Sequence, residues 1–266
     1  MRMLQGIMIA PPILSALIVV LCVVALCLGA YGMTRRVLGR GADAERRELA
    51  GSVIFRVSAL HGLVLALVFA QEVVNLRDVS TVSSREAALV GDVFYDLKRY
   101  DAAQTLPIRE SLALYTRHVL ETEWGLLADE NQLHDQAWAE WEATYEAILD
   151  LTPETLRQES LRAMMLDGIR DVSMLRLERE EAARAGVNPL FLTAAIVGVI
   201  LTAAAYFTFE PSRLNLLLLT IFSSYTGLII FFIIAFANPY HAPGKAAPVS
   251  FELLYQGEVR ELAGGG

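Results

Sequence analysis

Apolar residues fall into four long runs, Ile7 to Gly32, Val53 to Ala70, Leu190 to Phe207 and Leu214 to Phe236. Each reaches the roughly 18–20 residues that an α-helix needs to cross a hydrocarbon core about 30 Å thick. The runs predict an all-α membrane protein with four transmembrane helices and a large helical insert between the second and third. The chain then divides at 1–70, 71–188, 189–237 and 238–266: a first helix pair with its loop, the insert, a second helix pair and a tail. Inside the insert, apolar positions recur at helical spacing. One helix, with Ala87, Val90, Val93, Phe94 and Leu97, continues the second run to Tyr100; a second opens at Pro107 and ends near Leu127. A third is expected from Glu130 to Leu151. The fourth should start at Thr152-Pro153, an N-cap followed by proline at the first helical position, and end before Gly186. Pro239, Pro243 and Pro248 predict that the tail leaves as an extended segment, followed by a short amphipathic piece at Phe251 to Tyr255.

The second run is not uniformly apolar. At about 100° per residue, Ser58, His61, Leu65, Val68, Glu72 and Asn75 share one helical face. Polar groups on a membrane helix face protein or water rather than lipid. Ser58, His61, Glu72 and Asn75 are therefore the candidate lining of a pore or polar path, with His61 a titratable group at mid-span and Glu72 a charge ring in an oligomer. A packing role is also open: Arg56 can snorkel, His61 can bond a neighbouring helix, and Glu72 can sit among headgroups. Ser223, Ser224, Thr226 and Gly227 in the fourth run, with Gly198 in the third, offer small surfaces for close helix packing.

Charge sharpens the topology. The net charge is −8, yet residues 71–188 hold 12 Lys/Arg against 23 Asp/Glu and the rest of the chain is basic. An acidic insert argues against a nucleic-acid partner and leaves a protein partner open. Arg35, Arg36, Arg40, Arg46 and Arg47 crowd the first loop, and Arg213 follows the third run. Basic short loops stay cytoplasmic, so these arginines place the first and third loops inside a cell (inner) membrane and the acidic insert outside.

Chemistry is sparse. Cys22 and Cys27, the only cysteines, both lie in the first run on different faces, which excludes a disulfide framework. Gly39-Arg40-Gly41 lacks the rest of a dinucleotide fingerprint. His118 has Glu121 one turn on and His134 has Asp135 beside it, but neither has a Glu three residues before it, as a carboxylate-bridged metal bundle requires. No catalytic residue, metal ligand or cofactor is expected.

Several stretches resemble one family: ALHGLVLALVFAQE in the second run, Arg85-Glu86-Ala87, Ile108 to Tyr115, Val119 to Glu123-Trp124, and Asn238-Pro239-Tyr240 leading to Val249-Ser250-Phe251-Glu252. Their order is similar to that of the bestrophin-like family of bacterial membrane proteins. The resemblance implies a homo-oligomer related to pentameric anion channels, with the second span lining the pore. It also implies a cytoplasmic helical region and a phenylalanine-rich neck, whereas the arginines point the insert outward and the second run has only Phe55 and Phe69. The alternative is a helical interaction or sensing module anchored in the lipid bilayer without transport activity.

Overall fold

The computed structural model describes residues 11–38 and 44–264, with side chains from residue 47 onward in the second stretch. Its α-helices are α1 (Pro12–Leu38), α2 (Ala44–Tyr100), α3 (Leu106–His118), α4 (Trp124–Asp129), α5 (Asp135–Leu149), α6 (Leu156–Ala185), α7 (Pro189–Ala205), α8 (Arg213–Phe236), α9 (Val249–Leu254) and α10 (Glu258–Leu262). A π-helical turn occupies Val119–Glu123 and a 3₁₀ turn Tyr206–Thr208. Among the described residues, four helices are long and apolar enough to cross a membrane. The chain forms two compact units, Met1–Val74 with Val187–Ala237, and Asn75–Gly186 with Asn238–Gly266.

In the first unit α1 packs along α8 and α7. Ser15, Val19, Val23, Cys27 and Tyr31 repeat every four residues and form the buried face of α1. Its approach to α8 depends on Gly227, where a Cβ would stand only 2.9 Å from the Val20 Cα. Phe69 of α2 meets the Phe236 ring edge-on at 5.8 Å. Ile13, Phe55, Leu60 and Leu67 stay more than half exposed, which suits a surface solvated by lipid or by another copy. The turn between α7 and α8 must satisfy its backbone groups near the bilayer boundary. Arg35 Nη1 donates to the Phe207 and Phe209 carbonyls at 3.3 and 2.9 Å, and the Tyr31 hydroxyl donates to Phe209 at 2.9 Å. Arg47 pairs with Glu210 at 2.8 Å.

The second unit is built around α6 and the later part of α2. Val79, Ser83, Glu86, Val90, Val93 and Leu97 form one buried stripe; Leu161, Met165, Ile169, Val172, Arg176, Arg179 and Ala183 form another. α6 starts three residues later than Thr152-Pro153 predicts. Thr155 accepts from the Gln158 amide at 3.2 Å, and the Gln158 side chain accepts from the Thr155 amide at 3.2 Å. This reciprocal box satisfies two otherwise unpaired N–H groups, which Thr152 cannot do. The third insert helix also begins late, because Asn131 adopts a positive φ of 55° and His134 is extended. The tail differs more: Tyr240, Ala246, Phe251, Val259 and Ala263 are buried in the core of this unit rather than extended away from it. Aromatic contact outweighs the proline signal, since Trp124 meets Tyr240 edge-on at 5.2 Å and its indole N–H donates to the Ala246 carbonyl at 2.9 Å.

Gly227→Val should force α1 and α8 apart and lower unfolding stability in detergent by about 1–3 kcal/mol. Gly32→Ala, with open space around it, should leave the melting midpoint unchanged or slightly raised, and equal melting of both variants would remove the close-approach argument.

Candidate functional site

From Ser58 to Glu72 the polar stripe of α2 lies on the inner face of the first unit, and Asn75 begins the second. His61 and Glu72 are buried, Ser58 and Asn75 half-buried, and Leu65 and Val68 on the same face join the apolar core. Glu72 and Asn75 both have interaction partners. The His61 imidazole lies against Gly198 of α7, where any Cβ would overlap the ring. Its Nε2 and the Thr202 hydroxyl, one turn along α7 from Gly198, are buried without hydrogen-bond partners among the described residues. The opposite face, with Ser52, Phe55, Ala59, Gly62, Leu63, Ala66 and Ala70, is exposed.

The topology arginines serve partly as structural donors. Arg35 and Arg47 hold the α7–α8 turn, while Arg36 is exposed. Arg40 lies outside the described residues, as does the side chain of Arg46, whose backbone belongs to α2.

The second unit contains a charged centre that the reading by residue type did not single out. Arg179 forks onto Glu86 through Nε at 2.5 Å and Nη2 at 2.9 Å, and Nη2 also reaches Glu123 at 2.6 Å. Arg176 donates to the other Glu123 oxygen at 2.7 Å, and that oxygen also accepts the His134 amide at 3.1 Å. The Tyr115 hydroxyl donates to Glu86. All four charged side chains are fully enclosed. Aromatic faces close the remaining sides: Trp138 at 4.5 Å and Tyr115 at 5.1 Å from Arg176, Trp124 at 5.4 Å and Phe251 at 5.8 Å from Arg179. Each carboxylate thus answers a guanidinium, and the quadrupoles of the rings supplement the pairing.

Burial alone would raise the Glu123 pKa, but Arg179 and Arg176, aided by the His134 amide, hold it below its ordinary value. Burial opposes the charge of Arg179 too, and Glu86 and Glu123 overcome it, leaving the guanidinium ionised. Burial and the Glu86 carboxylate push Tyr115 well up, so its phenol keeps the proton it donates.

A sequence signal for this centre exists. Glu86 falls on the α2 stripe, and Arg176 and Arg179 continue the three- and four-residue spacing of the α6 stripe. A charge on an apolar stripe needs a buried partner. Nothing in the helix pattern says which acid meets which base.

Four apolar helices among the described residues, joined in sequence to a helical unit, define a multi-pass membrane protein. The Bestrophin-like domain family matches residues 21–247, and the chain belongs to that family. Solved structures agree in fold: a membrane protein variant at TM-score 0.62 and 12% identity, covering 92% of this chain and 97% of its own. A variant of a bacterial Bestrophin homolog from Klebsiella pneumoniae matches at TM-score 0.59 and 10% identity, covering 93% and 98%. A second variant of that homolog gives 0.58 at 13% identity, covering 94% and 98%. No functionally curated protein matches. Among the described residues no cluster of three or more metal-binding side chains accompanies the fold.

Removing one member of a buried pair strands its partner's charge, which costs about 3–5 kcal/mol. Glu123→Gln and Arg179→Met should each lower stability by that order in denaturant titrations of the detergent-solubilised protein. The Glu123 contribution is complete above its ordinary pKa of 4.5 and is lost as pH falls through its depressed folded value. Wild type should therefore lose stability with acid more steeply than Glu123→Gln, and parallel acid profiles would contradict the assignment.

Proposed function

We propose that the protein is a homo-oligomeric ion channel whose conducting path is lined by the second span. The observation that carries this reading is the division of α2 into two faces. One, with His61 and Glu72, is buried inside its unit; the other, rich in small residues from Ser52 to Ala70, is exposed. A ring of copies presenting the exposed face to a common axis closes a path without rearranging the four-helix packing. His61 and Glu72 then act from behind the wall, His61 by seating α2 against Gly198. Fold likeness over most of both chains to a bacterial Bestrophin homolog supports the same reading. The acidic insert lies outside the cell by the arginine rule, with the loop carrying Arg35, Arg36, Arg40, Arg46 and Arg47 inside.

Purified protein in liposomes should behave as a closed oligomer by mass and pass anions. Leu63→Ser on the exposed face should change flux severalfold, and Gly198→Ala, which displaces His61, should alter flux less than it alters stability. A monomer with no flux at any pH would leave the anchored interaction module as the better reading. For orientation, a reporter inserted between Gln132 and Gln136 should be active only on the external side; cytoplasmic activity, which kinship to bestrophin channels implies, would reverse the placement.

A further inference from the structure

An open groove of about 730 Å³ runs along α1 within the membrane unit, lined by Ala25, Gly29, Met33 and Val37 of that helix and by Ile200 and Ala204 of α7. Its lining is apolar except for Thr34. The packing of the unit leaves it unfilled: a Cβ added at Gly29 would meet nothing within 4 Å, and Met33 and Val37 are 70% and 73% exposed. The depth of the groove is informative. Arg35 and Arg36 mark the level at which α1 leaves the hydrocarbon, since a guanidinium is costly inside it. Ala25, at the other end, lies ten residues before Arg35, about 15 Å along a helix. That is half of a hydrocarbon core about 30 Å thick, so the groove opens at one membrane boundary and stops near the midplane. One acyl chain of a single leaflet has that reach. A transmembrane helix of a second copy crosses both leaflets and would need a groove about twice as deep.

Charge at the boundary end points to the same occupant. Arg36 follows Gly29 by seven residues and Met33 by three, which puts it on the groove face of α1, and its side chain is exposed. Arg35 donates to the Phe207 and Phe209 carbonyls in the turn that follows Ala204; carbonyls accept its hydrogen bonds but do not neutralise its charge. Arg47, by contrast, is answered by Glu210. We propose that the groove holds one acyl chain of a phospholipid with an anionic headgroup, whose phosphate is met by Arg36 and further attracted by Arg35. A guanidinium matches a phosphate with two parallel hydrogen bonds, and basic side chains at a membrane surface draw anionic lipid toward them. In a ring of copies every copy presents this end to the same leaflet, so a neighbouring chain brings arginines toward arginines, whereas the lipid brings the opposite charge. The bound chain completes the surface between α1 and α7 next to the turn that Arg35 holds. This role is independent of ion conduction.

The test uses the full chain, stripped of lipid in detergent and then offered phosphatidylglycerol and phosphatidylcholine with identical acyl chains in equal amounts. Native mass spectrometry should show one tightly held lipid per chain, phosphatidylglycerol favoured over phosphatidylcholine by about fivefold or more, the order expected for each basic side chain at a membrane surface. Arg36→Gln should keep a bound lipid but lose most of that preference. Gly29→Leu, whose side chain enters the open space of the groove, should lose the held lipid of either kind. Gly32→Leu, which also meets open space but is not part of the lining, should behave as wild type. Melting midpoints of the lipid-free variants, equal to that of wild type, show that each is folded; a variant that melts lower is replaced by Ala25→Leu for the groove or Arg36→Ala for the headgroup. Equal retention of the two lipids by wild type, or lipid held as tightly after the groove is filled, would overturn the proposal. So would a Gly29→Leu protein that dissociates into monomers with its lipid retained, because the groove would then be a contact between copies.

Discussion

The helical unit depends on one guanidinium. Arg179 is the point at which α2, the π-helical turn and α6 meet, since its fork holds Glu86 on one side and Glu123 on the other. An isolated buried charge is prohibitively costly, so the fold must deliver both carboxylates and the enclosing rings together. This makes the centre a device for register as much as for stability. Sliding α6 by one turn against α2 would still set apolar residues against apolar residues, but it would carry one of Arg176 and Arg179 away from the carboxylates.

The membrane unit obeys a different constraint. There the hydrophobic effect does not distinguish a neighbouring helix from lipid, and close approach and hydrogen bonding decide the packing. Gly227 against Val20 and Gly198 against His61 show the first. The α7–α8 turn, with its carbonyls answered by Arg35 and Tyr31, shows the second. Arginines that read in the sequence as topology signals are thus partly consumed as donors.

Where one local rule operates alone, the sequence is easily read. The four spans, the continuation of α2 to Tyr100 and the α-helical nature of the insert all follow from run length and periodicity. The polar stripe was legible as a face that avoids lipid, because 100° spacing places His61 and Glu72 together. What they face depends on a neighbouring helix, which periodicity does not contain. Thr155 prevailed over Thr152-Pro153 because a reciprocal side-chain bond three residues away outcompetes a single cap. The short amphipathic piece of the tail forms the helix Val249–Leu254, whereas its place in the core is not in the local pattern: prolines speak for local backbone, while Tyr240 and Phe251 answer to a distant tryptophan. The approach of the His118 and His134 rings, 5.2 Å between centroids, belongs to the same class of long-range fact.

Phe251 and Tyr240 also set a clock. The acids and arginines of the buried centre are all made before Gly186, but the tail aromatics that help enclose Arg179 emerge only after two further membrane spans have been synthesised. At about 5–20 residues per second this leaves the insert unfinished for several seconds. During that interval the side of Arg179 that Phe251 covers lacks its ring, while Trp124 is already in place. The growing chain thus presents a partly charged, partly apolar helical domain that becomes a closed object only once Phe251 has been made.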